Sequence, residues 1–377
     1  MFGKKILWIF IFIGSLMIAI ALNYQVQSTS LREIAADNSN FQYLGRIDRS
    51  TASSPIFAYP ATACQFNFEG TTLQLKITED NWGNHNYIGV YLDDNPEPIV
   101  IELETSSEPR TYEVVNNLSD TQHRALMVKR TDFFTGEFSF QGIVIDHGKN
   151  LLPPDPISSR RMEVYGDSIT VGGIVESDNV GEQDPPGNNK HLDNSYASFG
   201  AMLAQDYQAD FHLIAQSGIA LTNGYGYWFE GTGMESVYDK YKPLPNARVW
   251  NFNNYQPDLI IIALGQNDSA SVVGKEEISG EQWKKNYQKF IINLREEHPQ
   301  AYFICMFPNM FHDPVWDTYL TEAVNQYRQK FPRAKVYSLI TEQVTPGHPR
   351  VSEQRLMADA LKNLINNTLI NDGFSWQ

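Results

Sequence analysis

Two different hydrophobic periods divide the chain. Between about residues 40 and 150, short runs of apolar side chains alternate with polar ones, and turn residues such as those at 93–96 separate the runs. The inward-facing candidates are Cys64, Phe66, Phe68, Leu73, Leu75, Ile77, Ile88, Val90 and Leu92. Several short alternating strands with no helical stretch between them predict an all-β sandwich.

From residue 157 to about 373, apolar runs alternate with helical patterns. The pattern predicts strands at residues 162–165, 211–215, 259–264, 302–306 and 335–339, and helices at 195–205, 281–298, 316–330 and 352–370. In the helix at 281–298, large apolar residues recur at steps of three and four, which marks one buried face. This alternation predicts an α/β domain with a parallel sheet between helices. The aperiodic, proline-rich residues 151–156 are interpreted as a linker.

Residues 1–30 differ from the rest of the chain. Lys4 and Lys5 precede an apolar run over residues 6–22, and residues 23–30 are mostly polar. This pattern predicts an export signal, although the run also reaches the lower length limit for a spanning helix. A cleaved signal peptide and an N-terminal membrane anchor both remain open, and either gives an extracytoplasmic location.

Net charge limits the classes of partner, and the two cysteines bear on disulfide formation. The 377-residue chain has a formal net charge of −15, which argues against nucleic acid as a partner and against a membrane except through an uncleaved N-terminal segment. Cys64 and Cys305 lie in apolar strand patterns of different predicted domains, so we expect two buried thiols and no disulfide.

The candidate chemistry centres on Ser168. The sequence RMEVYGDSITVGG at residues 161–173 predicts a strand, a tight turn at Gly166 and the start of a helix. A serine there lies outside the carboxyl end of a strand, where open α/β sheets bind ligands. The alternative is an ordinary helix cap, since Ser and Asp are preferred capping residues. We interpret Asp167 as structural, because an Asp at a turn bonds its own backbone.

Three further motifs follow in order. The triplet QSG at 216–218 follows one predicted strand, GQND at 265–268 follows another, and His348 lies in a PGHP loop before the last helix. With GDSIT, these motifs resemble the SGNH (GDSL) hydrolase superfamily. The resemblance assigns Ser168 as nucleophile, His348 as general base, and Ser168, Gly218 and Asn267 as the oxyanion hole.

A β-sandwich in front of an SGNH domain points to a particular family. This domain pair, together with FEGT at 68–71, His123, KRT at 129–131 and NSY at 194–196, is similar to carbohydrate esterase family 2. That family implies a jelly-roll domain followed by the esterase domain, and a preference for 6-O-acetyl groups. The sequence contains no HxxE or clustered His/Asp ligand pattern, and a Ser-His route does not require a metal, so we expect no metal or other cofactor.

One departure concerns the orientation of His348. SGNH hydrolases commonly carry an aspartate two or three residues before the histidine, but Thr345 and Pro346 occupy those positions. A Ser-His pair needs an acceptor for the second ring nitrogen. The sequence therefore predicts a Ser-His dyad in which a main-chain carbonyl of residues 341–347 orients the ring.

The predicted substrate is an acetylated polysaccharide or oligosaccharide of the xylan or glucomannan type. Aromatic residues after the Gly218 motif suggest a surface for stacking on sugar rings, with core packing as the alternative for each. These residues are Tyr225, Tyr227, Trp228 and Trp250. The rival hypotheses are a lipid esterase or thioesterase on the same scaffold, and a glycan-binding protein with a catalytically weak core.

Overall fold

The computed structural model describes residues 30–80, 85–93, 95–270, 277–341 and 344–376. The predicted signal or anchor at residues 1–30 lies outside this part of the chain except for its last residue. No helix among the described residues is both long enough and apolar enough to span a membrane.

The amino-terminal part consists of two antiparallel sheets. Its strands are β1 (Leu31–Ala35), β2 (Gln42–Leu44), β3 (Ile56–Phe57), β4 (Ala63–Gly70), β5 (Leu73–Asp80), β6 (Asn86–Leu92), β7 (Ile99–Leu103), β8 (Ser106–Val115), β9 (Thr121–Lys129), β10 (Glu137–Asp146) and β11 (Leu151–Leu152). One sheet has the order β1-β10-β5-β8 and the other β11-β4-β9-β6-β7, with β3 beside β10 and β2 beside β4.

The two-residue period places the core as the sequence predicts. Apolar side chains of β4, β5 and β6 pack into one buried cluster between the sheets, and Cys64 is a free thiol in it. The domain begins earlier and ends later than the pattern suggests. Strand β1 starts at Leu31, before the expected boundary at residue 40. Strand β11 pairs with β4, so the first residues of the predicted linker belong to a sheet.

The carboxy-terminal part is an α/β domain. Its strands are β12 (Arg161–Gly166), β13 (Asp210–Ala215), β14 (Leu259–Ala263), β15 (Tyr302–Phe307) and β16 (Val336–Ile340). Its helices are α1 (Ser168–Val171), α2 (Phe199–Tyr207), α3 (Gln266–Ser269), α4 (Gly280–Glu297), α5 (Val315–Lys330) and α6 (Val351–Leu364), and a π-helical turn (Ile365–Leu369) continues α6.

The sheet of this domain is parallel, with the strand order β13-β12-β14-β15-β16. Along β14, Leu259, Ile261 and Ala263 pack under α2 and α6, whereas Ile260 and Ile262 pack under α4 and α5. Because both faces are covered, β14 is apolar along its whole length. The strand order reverses between β12 and β14, and a ligand crevice opens outside the strand ends at such a point.

A buried ion pair joins the two domains. Arg46 of the β-sandwich donates to Glu163 Oε1 at 2.9 Å and to the Tyr165 hydroxyl at 2.8 Å, both on β12. Burial favours the neutral form of Glu163, but the adjacent guanidinium outweighs it and holds the pKa of Glu163 below its ordinary value. Breaking a buried pair of this kind typically costs about 3–5 kcal/mol, so the contact fixes the sandwich on the sheet.

Candidate active site

Ser168 lies at the carboxyl end of β12, at the point where the strand order reverses. Asp167 caps the short helix α1, and its Oδ1 accepts the Ile169 N–H at 3.0 Å. The turn requires glycine at 166, since a Cβ there would lie 1.9 Å from Thr170 Oγ1. Burial raises the pKa of Asp167 to about 7. The cap and the glycine therefore fix the serine at the edge of the sheet.

Ser168, His348 and Asp184 form a continuous hydrogen-bonded chain. His348 Nε2 lies 2.7 Å from Ser168 Oγ, and His348 Nδ1 lies 2.5 Å from Asp184 Oδ2. The sequence-based prediction that a main-chain carbonyl of residues 341–347 orients His348 is wrong, because a carboxylate occupies that position. The arrangement is a Ser-His-Asp triad in geometry rather than a dyad.

Asp184 is itself held in place from two sides. Its Oδ1 accepts the backbone N–H of His348 at 2.9 Å and Nη1 of the buried Arg350 at 3.0 Å. Partial burial raises the pKa of Asp184, but hydrogen bonds from His348 and Arg350 outweigh it and hold that pKa well below the usual range. The carboxylate thus stays charged at neutral pH. A Cβ at Gly347 would lie 2.7 Å from Asp184 Oδ1, so the close approach requires glycine.

The sequence gives little local signal for Asp184. It lies in the loop between α1 and α2, and 164 residues separate it from His348. Thr345 and Pro346 occupy the positions before His348 where the acid is expected, and neither is a carboxylate. Thr345 is buried and donates to the Gly347 carbonyl at 2.7 Å, which shapes the PGHP loop. The acid therefore comes from another loop at the same end of the sheet.

The three predicted oxyanion donors lie around Ser168. The backbone N–H groups of Ser168 and Gly218 have no acceptor within the described ranges. The amide of Asn267 donates to the Ile219 carbonyl at 3.0 Å and makes a longer contact, 3.4 Å, with Asp167 Oδ2. One amide proton is therefore committed to the fold, and the other is only weakly held.

The aromatic loop after Gly218 supports the backbone at that residue. Gly218 has a φ of 77°, and its carbonyl accepts the N–H groups of Tyr227 at 2.8 Å and Trp228 at 3.1 Å. Trp228 is buried, packs against Phe133 of the β-sandwich and donates from Nε1 to the Pro243 carbonyl at 2.8 Å. The prediction that Trp228 stacks on substrate is corrected, since the ring is part of the core.

The other three aromatic candidates differ in exposure. Trp250 is buried beside Arg46 and His212 on the other side of the domain, so its predicted role in binding is likewise corrected. Tyr225 is partly buried against the core. Tyr227 is 62% exposed and lines the pocket that contains Ser168.

The pocket at Ser168 has a volume of about 370 Å³. Its apolar wall includes Ile174, Ala270 and Met310, and its polar lining comprises Ser168, Lys190, Asp193, Ser217, Gln266, Asn267 and His348. Lys190 pairs with the buried Asp193 at 2.8 Å. Among the residues that the structure describes, no group of three or more His, Cys, Asp or Glu side chains is arranged to hold a metal ion.

Both parts of the chain match known protein families. Residues 164–368 match the GDSL-like lipase/acylhydrolase family, and the chain therefore belongs to that family. Residues 43–155 match the carbohydrate esterase 2 N-terminal domain. The chain thus combines the two domains found in family 2 carbohydrate esterases, and the predicted resemblance is confirmed.

Similar proteins include the cellulase/esterase CelE of Acetivibrio thermocellus, 31% identical over 346 residues. That match covers 88% of this chain but only 40% of CelE. An acetylxylan esterase/glucomannan deacetylase of Cellvibrio japonicus is 27% identical over 302 residues, which cover 79% of each protein. A family two carbohydrate esterase from Clostridium thermocellum, solved with cellohexaose, superposes with a TM-score of 0.77 at 28% identity, covering 87% of this chain and 99% of that one.

The geometry predicts that Asp184 controls the reactivity of Ser168. We expect Asp184→Asn to slow labelling of Ser168 by a fluorophosphonate on the order of 1,000- to 10,000-fold, because an amide at that position favours the wrong histidine tautomer. The rate is measured by intact-protein mass spectrometry. Glu182→Gln is the matched control, since it removes an exposed carboxylate from the same loop. Labelling of Asp184→Asn at the wild-type rate would contradict a role for the carboxylate.

Proposed function

We propose that this chain is a serine carbohydrate esterase that removes O-acetyl groups from a polysaccharide. The observation that carries the proposal is the hydrogen-bonded chain from Ser168 through His348 to Asp184, next to the backbone N–H groups of Ser168 and Gly218, which have no acceptor among the described residues. This combination of nucleophile, base, orienting acid and oxyanion donors supports acyl transfer. The relatives named above carry esterase or deacetylase names.

In the first half of the reaction, Ser168 Oγ attacks the acetyl carbonyl carbon while His348 Nε2 takes the hydroxyl proton. The resulting imidazolium is stabilised by Asp184, which remains a carboxylate. When the tetrahedral intermediate collapses, the carbon–oxygen bond to the sugar breaks and His348 returns the proton to the sugar oxygen. The products of this half are the free hydroxyl and an acetyl group on Ser168.

The second half repeats the chemistry with water. His348 takes a proton from water, the hydroxide attacks the acetyl-serine, and acetate leaves as the proton returns to Ser168 Oγ. In both halves the negative charge forms on the former carbonyl oxygen. The N–H groups of Ser168 and Gly218 and the weakly held proton of Asn267 supply three donors for it, and each such donor is typically worth ~100- to 1,000-fold in rate.

Pocket size and surroundings favour a short acyl group on a polar chain. Beside Ser168 the pocket holds about 370 Å³, which leaves little room for a long acyl chain once a sugar ring also enters. Lys190, whose amino group is held by the buried Asp193, gives that lining a donor suited to sugar hydroxyls. With the names of the similar proteins, these features favour xylan- or glucomannan-type substrates, and the family resemblance adds the preference for 6-O-acetyl groups. Such polymers lie outside the cytoplasm, which supports an extracytoplasmic location.

The β-sandwich is proposed to be a jelly-roll. Its sheets have the orders β1-β10-β5-β8 and β4-β9-β6-β7 after the short strands are set aside. Eight strands divided between two four-stranded sheets in these orders support two Greek keys, which is the jelly-roll pattern.

The function is tested by measuring acetate release from acetylated glucomannan, acetylated xylan and a long-chain aryl ester. We expect release from the glycans, little turnover of the long-chain ester, and loss of all activity in Ser168→Ala, which should still fold because the substitution leaves both cores intact. Faster turnover of the long-chain ester would instead indicate a lipid esterase. Binding of the glycans without release of acetate would indicate a glycan-binding protein.

Tyr227 is the aromatic candidate that both lines the pocket and is exposed. We expect Tyr227→Ala to lower kcat/KM on acetylated glucomannan roughly fivefold, the effect of a stacking contact worth about 1 kcal/mol. Turnover of 4-nitrophenyl acetate should change little, because that ester carries no sugar chain from which stacking on Tyr227 could supply binding energy.

The matched control is Phe331→Ala. Phe331 is 45% exposed and lines a separate groove between α4 and α5. Its loss should affect neither substrate. Equal losses on both substrates in Tyr227→Ala would instead indicate that the ring supports the Gly218 backbone.

A further inference from the structure

A carboxylate of the β-sandwich holds the backbone next to Gly218. Asp132 lies between β9 and β10 and is fully buried. Its Oδ2 accepts the backbone N–H of Ser217 at 2.7 Å and Nε2 of Gln216 at 2.9 Å. We call residues 216–218 the oxyanion loop. One side chain of the first domain therefore bonds to two consecutive residues of this loop in the second.

Asp132 is held rigidly on its own side. Its Oδ1 accepts the Phe134 N–H at 3.2 Å, and its carbonyl accepts Nζ of the buried Lys129 at 3.2 Å and the Thr135 hydroxyl at 2.9 Å. Lys129 also donates to Asn86 Oδ1 at 2.9 Å. The carboxylate thus has a fixed position in the sandwich. It therefore restricts the movement of Ser217 and Gln216, which bond to it.

The surrounding segment, residues 129–135, is docked on the α/β domain at further points. Ser195 donates from its hydroxyl to the Lys129 carbonyl at 2.7 Å and from its N–H to the Arg130 carbonyl at 2.9 Å. Arg130 also pairs with Glu176. Phe133 packs against Trp228, whose backbone N–H donates to the Gly218 carbonyl. This docking segment, residues 129–135, therefore contacts both the oxyanion loop and Trp228.

The oxyanion loop needs such support because its geometry is demanding. Gly218 has a φ of 77°, and its N–H must point into the pocket to serve as a donor. Donors act on the oxyanion only when they lie about 2.7–3.1 Å from it. The Ser217 N–H is one residue away, so a shift of that group moves the Gly218 N–H as well.

We propose that Asp132 is a positioning residue for the oxyanion hole, and that the β-sandwich thereby completes the active site of the other domain. The inference rests on the proposed esterase function. Asp132 does not touch the reacting atoms. It acts by fixing the Ser217 N–H, and through it the Gly218 N–H.

The test compares Asp132→Ala and Asp132→Asn in the whole chain with 4-nitrophenyl acetate. Loss of the acceptor in the Ala variant should lower kcat roughly 10- to 100-fold, less than the loss of a whole donor, with KM changed by less than about twofold. The Asn variant should recover most of kcat. With its amide oxygen in the place of Oδ2, it can still accept both the Ser217 N–H and Gln216 Nε2, and it loses only the Phe134 N–H contact of Oδ1.

Asp146→Ala is the matched control. Asp146 is a buried carboxylate of the same sandwich, and its Oδ2 accepts the backbone N–H of Thr72 at 3.2 Å. Its loss should lower stability but leave kcat unchanged. The proposal is overturned if Asp132→Ala keeps the wild-type kcat, if its loss appears in KM alone, or if Asp132→Asn is as slow as Asp132→Ala.

Amide hydrogen exchange separates this inference from the proposed function. If the wild-type chain releases no acetate from any ester, the proposed function fails, but the exchange rates still report on the loop. We expect the Ser217 amide to be protected in wild type and Asp132→Asn, and to exchange faster in Asp132→Ala. Equal protection in all three, or loss of protection in Asp146→Ala as well, would contradict the positioning role.

Discussion

The hydrogen bond between His348 and Asp184 is the interaction on which the proposed chemistry of this chain depends. A histidine can take a proton from Ser168 only if its other ring nitrogen carries a proton and is held by an acceptor. At 2.5 Å, Asp184 meets that requirement with a charged group, because hydrogen bonds from His348 and Arg350 hold the pKa of Asp184 well below its usual range. Without this contact, Ser168 and His348 would be neighbours with no fixed direction for proton transfer.

The fold brings the nucleophile and the predicted oxyanion donors together at the carboxyl ends of the parallel strands. The sheet brings Ser168 and Asn267 to the place where its strand order reverses, and Gly218 follows the adjacent strand. The β-sandwich is not a separate attachment, because Arg46 is buried against Glu163 and Asp132 against the oxyanion loop. Residues of both domains therefore fix the geometry of the pocket at Ser168.

The features that the sequence predicts best are the local ones. Strand and helix periods place Ser168, Gly218 and Asn267 after strands, because those signals lie within a few residues of each site. Asp184 and Asp132 are not predictable in this way, since each acts on a residue far away in the chain and lies in a loop without periodicity. The aromatic candidates fail for a related reason. Trp228 and Tyr227 are neighbours in sequence, and only tertiary packing buries one ring and exposes the other.

The most direct measurement of the proposed chemistry is the trapping of the acyl intermediate. The wild-type chain is mixed with an acetylated oligosaccharide, quenched in acid within the first turnover and mapped by peptide mass spectrometry. An acetyl group on Ser168, formed and lost at rates consistent with kcat and absent in Ser168→Ala, is the predicted result. Acetate release without acetylation of Ser168, or acetylation of another residue at the catalytic rate, would contradict Ser168 as the nucleophile.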